Sequence, residues 1–325
     1  MRGVDVVTAD ELLSFDRRSR KLSGASVLDR IAVRTLQTGS VISRPYEHRG
    51  YRLGCNVVAA AVGGRDIVVR LNDDAVFAIP FGDGYWSRIL NASYDYEEEI
   101  NTFLLSAADL RYAFVDCGAN FGYWSVLASS RPFGSQPTLA VEASPENAKR
   151  LQFNALLNGN RFRCLNAAIG GKAGGFARIC GARHEIFGTV ALANDEPDAV
   201  SVVSLDSLAA DCLIDKTIPV VVKLDVEGVE IAALTGATEL MRGDCVIICE
   251  EHGADPTHAV TRYLLDEMSL AVFVFDHTKR RFIRLHDIKM LDRIKRHRWV
   301  GYNVFATSSA MWEERLLAAT TRTDG

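Results

Sequence analysis

From Tyr112 onward, short apolar runs alternate with amphipathic stretches. The runs predict strands over 114–116, 138–142, 163–166, 220–225 and 246–250. Apolar positions at helical spacing predict helices between them, over 123–129, 145–158, 230–241 and 257–267. Val220-Val221-Val222 and Cys245-Val246-Ile247-Ile248 are apolar without alternation, as in parallel strands buried on both faces. The tail adds strand-like runs over 271–275, 282–285 and 302–307 with only turns or short helix between them. The pattern predicts an α/β fold whose sheet is mostly parallel, closes with an antiparallel final strand and is flanked by helices.

The N-terminal third reads differently. Apolar and charged positions over 8–37 alternate at roughly helical spacing, predicting one or two amphipathic helices interrupted near Ser23-Gly24. Short β-like runs follow over 56–62, 66–71 and 75–79, separated by Gly63-Gly64 and Asn72-Asp73-Asp74. Those separators are hairpin turn signals and predict a small antiparallel meander. Glu97-Glu98-Glu99-Ile100 then opens a helix. The expected organisation is a helical and β-meander cap over 1–104, a nucleoside-binding domain over 105–310 and a tail over 311–325.

One stretch carries chemistry. Phe114-Val115-Asp116-Cys117-Gly118-Ala119-Asn120-Phe121-Gly122 is a strand feeding a glycine turn, and the next strand ends in Glu142. Glycines let backbone N–H groups approach a ligand, and a carboxylate closing the following strand suits a ribose diol. A dinucleotide fingerprint needs a middle glycine against which a pyrophosphate rests. That glycine is absent here. Asp116 would repel a pyrophosphate and attract an ammonium. The nucleoside expected is therefore S-adenosylmethionine, with a nicotinamide dinucleotide and its oxidoreductase chemistry as the rival.

Composition narrows the setting. The 325 residues, 48% hydrophobic with a formal net charge of −4, are those of an ordinary globular chain without a nucleic-acid footprint. Lys279-Arg280-Arg281 and Lys295-Arg296-His297-Arg298 are local basic clusters, read as solvated faces. Seven cysteines include no Cys-x-x-Cys pair, and so read as buried free thiols of a reducing compartment. No signal peptide and no run of membrane-spanning length is visible. A cytoplasmic protein without membrane insertion is expected.

Several blocks together resemble the FkbM-type S-adenosylmethionine-dependent methyltransferases. They are Val115 to Tyr123, Val141-Glu142-Ala143-Ser144-Pro145-Glu146-Asn147, Asn166-Ala167-Ala168-Ile169-Gly170, Leu205-Asp206-Ser207-Leu208, Lys223-Leu224-Asp225-Val226-Glu227-Gly228-Val229-Glu230 and Leu234-Thr235-Gly236-Ala237. The resemblance covers about 96–309. It implies a class I methyltransferase (Rossmann-like) fold and methyl transfer, usually to a hydroxyl oxygen of a sugar, polyketide or related product. The acceptor implied is a small molecule or glycan.

In that frame Asp116 and Gly118 would hold the methionine end of the cofactor, while Asn120 and Gly122 shape the turn. Glu142 would accept both ribose hydroxyls. Ser144 is well placed to cap the following helix. Asn166 and Ala167 stand where such enzymes contact adenine. Asp225, Glu227 and Glu230 crowd the end of the fourth strand, able to bind a cation, orient the cofactor amine or cap a helix. Lys223, in an apolar strand, needs an acidic partner. An alcohol must lose its proton to attack, and His252 is the leading base, with Asp225 as substitute. The substitute includes a magnesium ion held by Asp225 and Glu250. Arg183 to Thr189 is read as an irregular loop and a candidate lid over the acceptor. Tyr94, Tyr96, Glu97 and Trp86 are candidate pocket residues. A catalytically silent cofactor-binding scaffold remains the non-enzymatic alternative.

Overall fold

The computed structural model describes residues 13–183, 186–192, 199–211, 213–226, 228–252, 255–294 and 301–320, with side chains of 180–192 left aside. The chain divides into two compact units, Met1–Tyr96 and Glu97–Gly325.

The first unit contains β1 (Ser14–Asp16), β2 (Leu22–Ser23), α1 (Val27–Ser43), α2 (Tyr51–Val62), β3 (Asp66–Asn72) and β4 (Ala75–Pro80). Its sheet runs β2-β1-β3-β4, with β1 parallel to β3 and the other pairs antiparallel. Two expectations are corrected here. The described part of 8–26 is a strand pair, because Phe15 buries between two outward neighbours and β1 completes the edge of β3. Residues 56–62 are helical, not a strand. Tyr51, Cys55, Val58 and Val62 recur at helical spacing and are the buried positions, so packing overrides the β preference of Val57-Val58. The β3–β4 hairpin forms as the turn at Asn72-Asp73-Asp74 predicts. Helix α1 begins on a reciprocal cap in which Ser26 and Asp29 bond each other's backbone.

The second unit opens with α3 (Glu98–Ser106), β5 (Ala113–Cys117), α4 (Tyr123–Ala128), β6 (Thr138–Glu142), α5 (Pro145–Leu157) and β7 (Arg163–Asn166). A side sheet follows, built from β8 (Ala168–Ile169), β9 (Phe176–Arg183), β10 (Ile186–Leu192) and β11 (Ala199–Val203). Next come α6 (Leu205–Ala210), β12 (Val220–Leu224), α7 (Glu230–Thr235), β13 (Cys245–Glu251) and α8 (Ala259–Arg262). The chain closes with β14 (Ala271–Asp276), β15 (Arg281–Arg284), α9 (Leu291–Ile294), β16 (Tyr302–Thr307) and α10 (Ala310–Ala318).

The main sheet has the order β15-β14-β16-β13-β12-β5-β6-β7. Strands β7, β6, β5, β12 and β13 are parallel, and β16 runs against them between β13 and β14. The predicted α/β class, with its antiparallel final strand and flanking helices, is the observed one. The chain leaves β5 towards β7 on one side and returns to β12 on the other. That reversal makes the carboxyl ends of β5 and β12 the switch point of the sheet, the place where such sheets bind ligands.

Three details depart from the sequence reading. The expected loop over 183–189 falls in the antiparallel pair β9–β10, with His184 and Glu185 outside the described residues. The helix expected over 230–241 stops at Thr235, and a 3₁₀ turn over Leu240–Arg242 follows. Gly236 packs so tightly that an added Cβ would meet the Gly170 carbonyl oxygen at 2.7 Å. Asp206 then takes the Glu239 and Leu240 N–H groups at 3.1 and 2.9 Å, closing the turn. The helix expected over 257–267 starts at Ala259 and passes into a π-helical turn over Tyr263–Glu267.

Candidate active site

The glycine turn after β5 is shaped by what it must pass. Gly118 and Gly122 both have φ in the left-handed region, 76° and 88°. A Cβ on Gly118 would collide with the Asp225 carbonyl oxygen, so β5 and β12 meet there backbone to backbone. The Asp225 N–H donates to the Cys117 carbonyl at 3.0 Å and seals that contact. Gly118 and Ala119 donate their N–H groups to the Val141 carbonyl at 2.9 and 3.1 Å, tying the turn to β6. Asn120 also takes a left-handed φ of 52° and aims its own N–H at Glu142.

Glu142 closes β6 in a buried position. Its Oε2 accepts the Asn120 N–H at 2.7 Å and its Oε1 accepts the Ser144 N–H at 2.8 Å. Each oxygen keeps further acceptor capacity, which two vicinal hydroxyls would fill. Burial raises the carboxyl to about 7, against the pull of those two N–H bonds. Ser144 accepts the Asn147 N–H at 3.3 Å and caps α5. The Asn166 amide donates to the Glu142 and Ala143 carbonyls at 2.8 and 3.0 Å, holding the backbone around the carboxylate. Asn120, Glu142, Ser144 and Asn166 thus form one hydrogen-bonded unit.

Beside it lies a buried charge cluster. In register, Lys223 of β12 stands opposite Asp116 of β5, on one face of the sheet. Asp225, two residues on, bonds the Lys223 Nζ at 2.8 Å. Burial would discharge Lys223, but the carboxylates of Asp225, Glu97 and Asp116 hold it firmly protonated. Burial likewise pushes Asp225 up, and the Lys223 ammonium with a hydrogen bond from Glu250 outweighs it, leaving Asp225 below the ordinary carboxylate range. Burial and the Asp225 charge push Glu250 well above that range. Glu250 therefore keeps its proton and donates it to Asp225. Asp116 is raised by burial, opposed by Lys223 and by the Ser125 hydroxyl, which donates to it at 2.6 Å.

Glu97 completes the cluster. It accepts from the Trp124 indole N–H and, at 3.0 Å, from the Asn303 amide. The same amide reaches Glu99 at 2.8 Å, whose carboxyl burial raises to about 7. Asn303, Ser125, Trp124 and Glu99 carried no recognisable signal in the sequence. They come from β16, α4 and α3, and only the sheet order brings them together. The sequence marks Glu97 as a candidate pocket residue and Glu250 as a candidate metal ligand; here both belong to the charge cluster.

The remaining sequence candidates fall elsewhere. His252 lies exposed just beyond β13, and among the described residues no hydrogen bond ties its ring to the buried cluster. Glu230 accepts the Gly228 N–H at 3.0 Å through both oxygens, closing the turn into α7. Glu227 lies outside the described residues. Trp86, Tyr94 and Tyr96 belong to the first unit, where Trp86 packs on Tyr96 and the Tyr96 hydroxyl meets that of Tyr85 at 2.9 Å. Magnesium finds no support: among the described residues no group of three or more His, Cys, Asp or Glu is placed to hold a metal ion.

Comparison with known proteins agrees with the motif reading. Residues 116–271 match the family model of the methyltransferase FkbM domain. No curated protein matches the chain. Among solved structures, the methyltransferase FkbM from Methylobacillus flagellatus aligns at 17% identity and a TM-score of 0.37, over 62% of this chain and 47% of that one. The match therefore spans less than half of that protein. A precorrin-6Y C5,15-methyltransferase from Geobacter metallireducens aligns at 13% identity and a TM-score of 0.35, over 65% of this chain and 88% of that one. TYW2 of P. horikoshii, solved in complex with MeSAdo, aligns at 12% identity and a TM-score of 0.36, over 81% and 83%.

Proposed function

We propose that this chain binds S-adenosylmethionine at the carboxyl ends of β5 and β12 and methylates a hydroxyl oxygen of a small-molecule or glycan acceptor. The carrying observation is the charge of that site. Glu97, Asp116 and Asp225 surround the single Lys223. An excess of buried acid favours a ligand with cationic groups and opposes a pyrophosphate, which argues against a nicotinamide dinucleotide. The donor set beside it fits a nucleoside: Glu142 offers a buried carboxylate with free acceptor capacity.

When bound, the cofactor supplies an electrophilic methyl group on a sulfonium. The chain's own groups then divide the work. Glu142 accepts the ribose hydroxyls. The turn at Gly118, Asn120 and Gly122, with Asp116 behind it, receives the methionine end. Ser144 and Asn166 hold Glu142 and its backbone in place. Asp225 is the first candidate to take the acceptor proton, because Lys223 keeps it ionised and its side chain is 23% exposed. His252, exposed beyond the neighbouring strand, is the second.

Calorimetric titration with S-adenosylhomocysteine, with NAD as control, tests the cofactor. Micromolar binding to the wild type, no NAD binding and loss in Asp116→Ala are expected. Preference for NAD would overturn the reading. Transfer of labelled methyl to a panel of hydroxylated sugars and metabolites then tests the reaction. His252→Ala should keep cofactor binding; an unchanged turnover would assign the proton to Asp225.

A further inference from the structure

Arg88 lies half-buried in the 3₁₀ turn Trp86–Leu90 of the first unit. Its guanidinium carbon is 4.4 Å from the Tyr85 ring centroid and 5.5 Å from that of Tyr94. Nε donates to the Tyr85 carbonyl at 2.9 Å. Among the described residues neither Nη1 nor Nη2 has a hydrogen-bond or ion-pair partner. Burial works against the charge, and the groups that outweigh it are Tyr94, Tyr85, Tyr96 and Tyr51, none of them a carboxylate. A phenol is neutral near about pH 7, so these rings leave the charge uncompensated. Ring faces attract a cation but accept no N–H in its plane. The end of the fork is left for an acceptor that brings two oxygens.

The segment that carries Arg88 is held at both ends. Asp83, the nearby acid, is engaged with backbone: its Oδ1 accepts the Tyr85 and Trp86 N–H groups at 2.8 and 2.6 Å. Arg17 donates to the Ile89, Ala92 and Tyr94 carbonyls at 3.1, 3.3 and 2.8 Å. The Tyr85 and Tyr96 hydroxyls meet at 2.9 Å. The rings around the guanidinium are thus fixed in advance, which lowers the ordering cost of binding. A second observation points to the same place. Tyr51 is 6% exposed, and its hydroxyl is buried with no hydrogen-bond partner among the described nitrogen and oxygen atoms. Its ring packs on His48 at 5.9 Å and His48 packs on Tyr94 at 5.6 Å, which joins Tyr51 to the Arg88 cluster. A buried donor without an acceptor is costly, and an oxyanion seated on Arg88 would supply one. Burial, with the Arg88 and Arg44 charges, pushes His48 down to about 4, so its ring is neutral. Arg88 is then the charged member of the cluster, and a monoanion matches it better than a phosphate dianion does.

We infer that the Arg88 fork, with the Tyr51 hydroxyl beside it, binds the carboxylate of a small organic ligand. The inference is independent of the reaction proposed above, and its test uses no cofactor. The probe is glucuronate, with glucose as the neutral control and glucose 6-phosphate as the phosphate control. Calorimetry of the full chain should show saturable glucuronate binding that salt weakens, no glucose binding and weaker glucose 6-phosphate binding. Arg88→Met keeps an unbranched stem and should weaken glucuronate binding about tenfold or more. Tyr51→Phe removes only the unpartnered hydroxyl, so binding should weaken about threefold at an unchanged melting curve. In the wild type, glucuronate should slow phenylglyoxal labelling of Arg88, read by peptide mass spectrometry. The inference is overturned by no saturable glucuronate binding, by unchanged affinity in either variant or by tighter binding of glucose 6-phosphate. Labelling of Arg88 that glucuronate leaves unslowed would overturn it as well.

Discussion

Glu142 shows how much one residue's surroundings add to its identity. As a carboxylate ending a strand it is a common feature; with both oxygens on backbone N–H groups it becomes a fixed acceptor. Burial lifts its carboxyl to about 7. The folded value lies above the ordinary one, so the stability Glu142 contributes is fully present below the ordinary carboxylate range and is lost as pH rises through about 7. Ligand binding runs the other way. Hydroxyl donors favour the ionised form, so a bound ribose lowers the carboxyl below its free value and affinity rises with pH. Between about pH 8 and about pH 6, S-adenosylhomocysteine affinity should fall about tenfold. Glu142→Gln should flatten that profile and weaken binding by about 1–3 kcal/mol. Calorimetry across this range checks both, and a pH-independent wild type would remove Glu142 from the ribose.

At the scale of elements, three motif blocks that resemble the family's turn out to brace one another. Asp206 donates its backbone N–H to the Gly236 carbonyl at 2.7 Å, and its carboxylate caps the 3₁₀ turn after α7. Gly170 packs under Gly236. These residues join the side sheet, α6 and α7 behind β12, and so steady the strand that carries Lys223 and Asp225. Asp206→Ala should therefore lower stability by about 1–3 kcal/mol while leaving cofactor affinity nearly unchanged. Urea unfolding beside calorimetry separates the two effects; a large loss of affinity at full stability would place Asp206 at the ligand instead.

At the scale of the molecule, the second unit is closed by its last helix. Trp312 of α10 is fully buried, packs on Phe103 of α3 and Tyr112, and donates its indole N–H to the Asp244 carbonyl at 3.1 Å. Arg315 adds bonds from the same helix to the Ser106 carbonyl and Asp109. The C-terminal helix thus anchors α3, whose first turn supplies Glu99 and is preceded by Glu97. Trp312→Ala should cost about 3–5 kcal/mol, read as a lower denaturant midpoint at unchanged slope.

The sequence by itself determined the eight strands of the main sheet, their mostly parallel pairing and the glycine turn beside Glu142, because continuous apolar runs, local turns and short motifs are written in neighbouring residues; it left the side sheet β8–β11 unread. It misread 8–26 and 56–62, where sheet completion and the burial of one helix face outweigh local preference. It called for an acidic partner for Lys223 without choosing one, and said nothing of Ser125, Trp124 or Asn303 as neighbours of that cluster, because these residues lie far apart along the chain. Only the tertiary structure decided which acids share one buried lysine and which carboxyl keeps its proton. Those outcomes depend on desolvation and on distances across strands, which exist only once the sheet has closed.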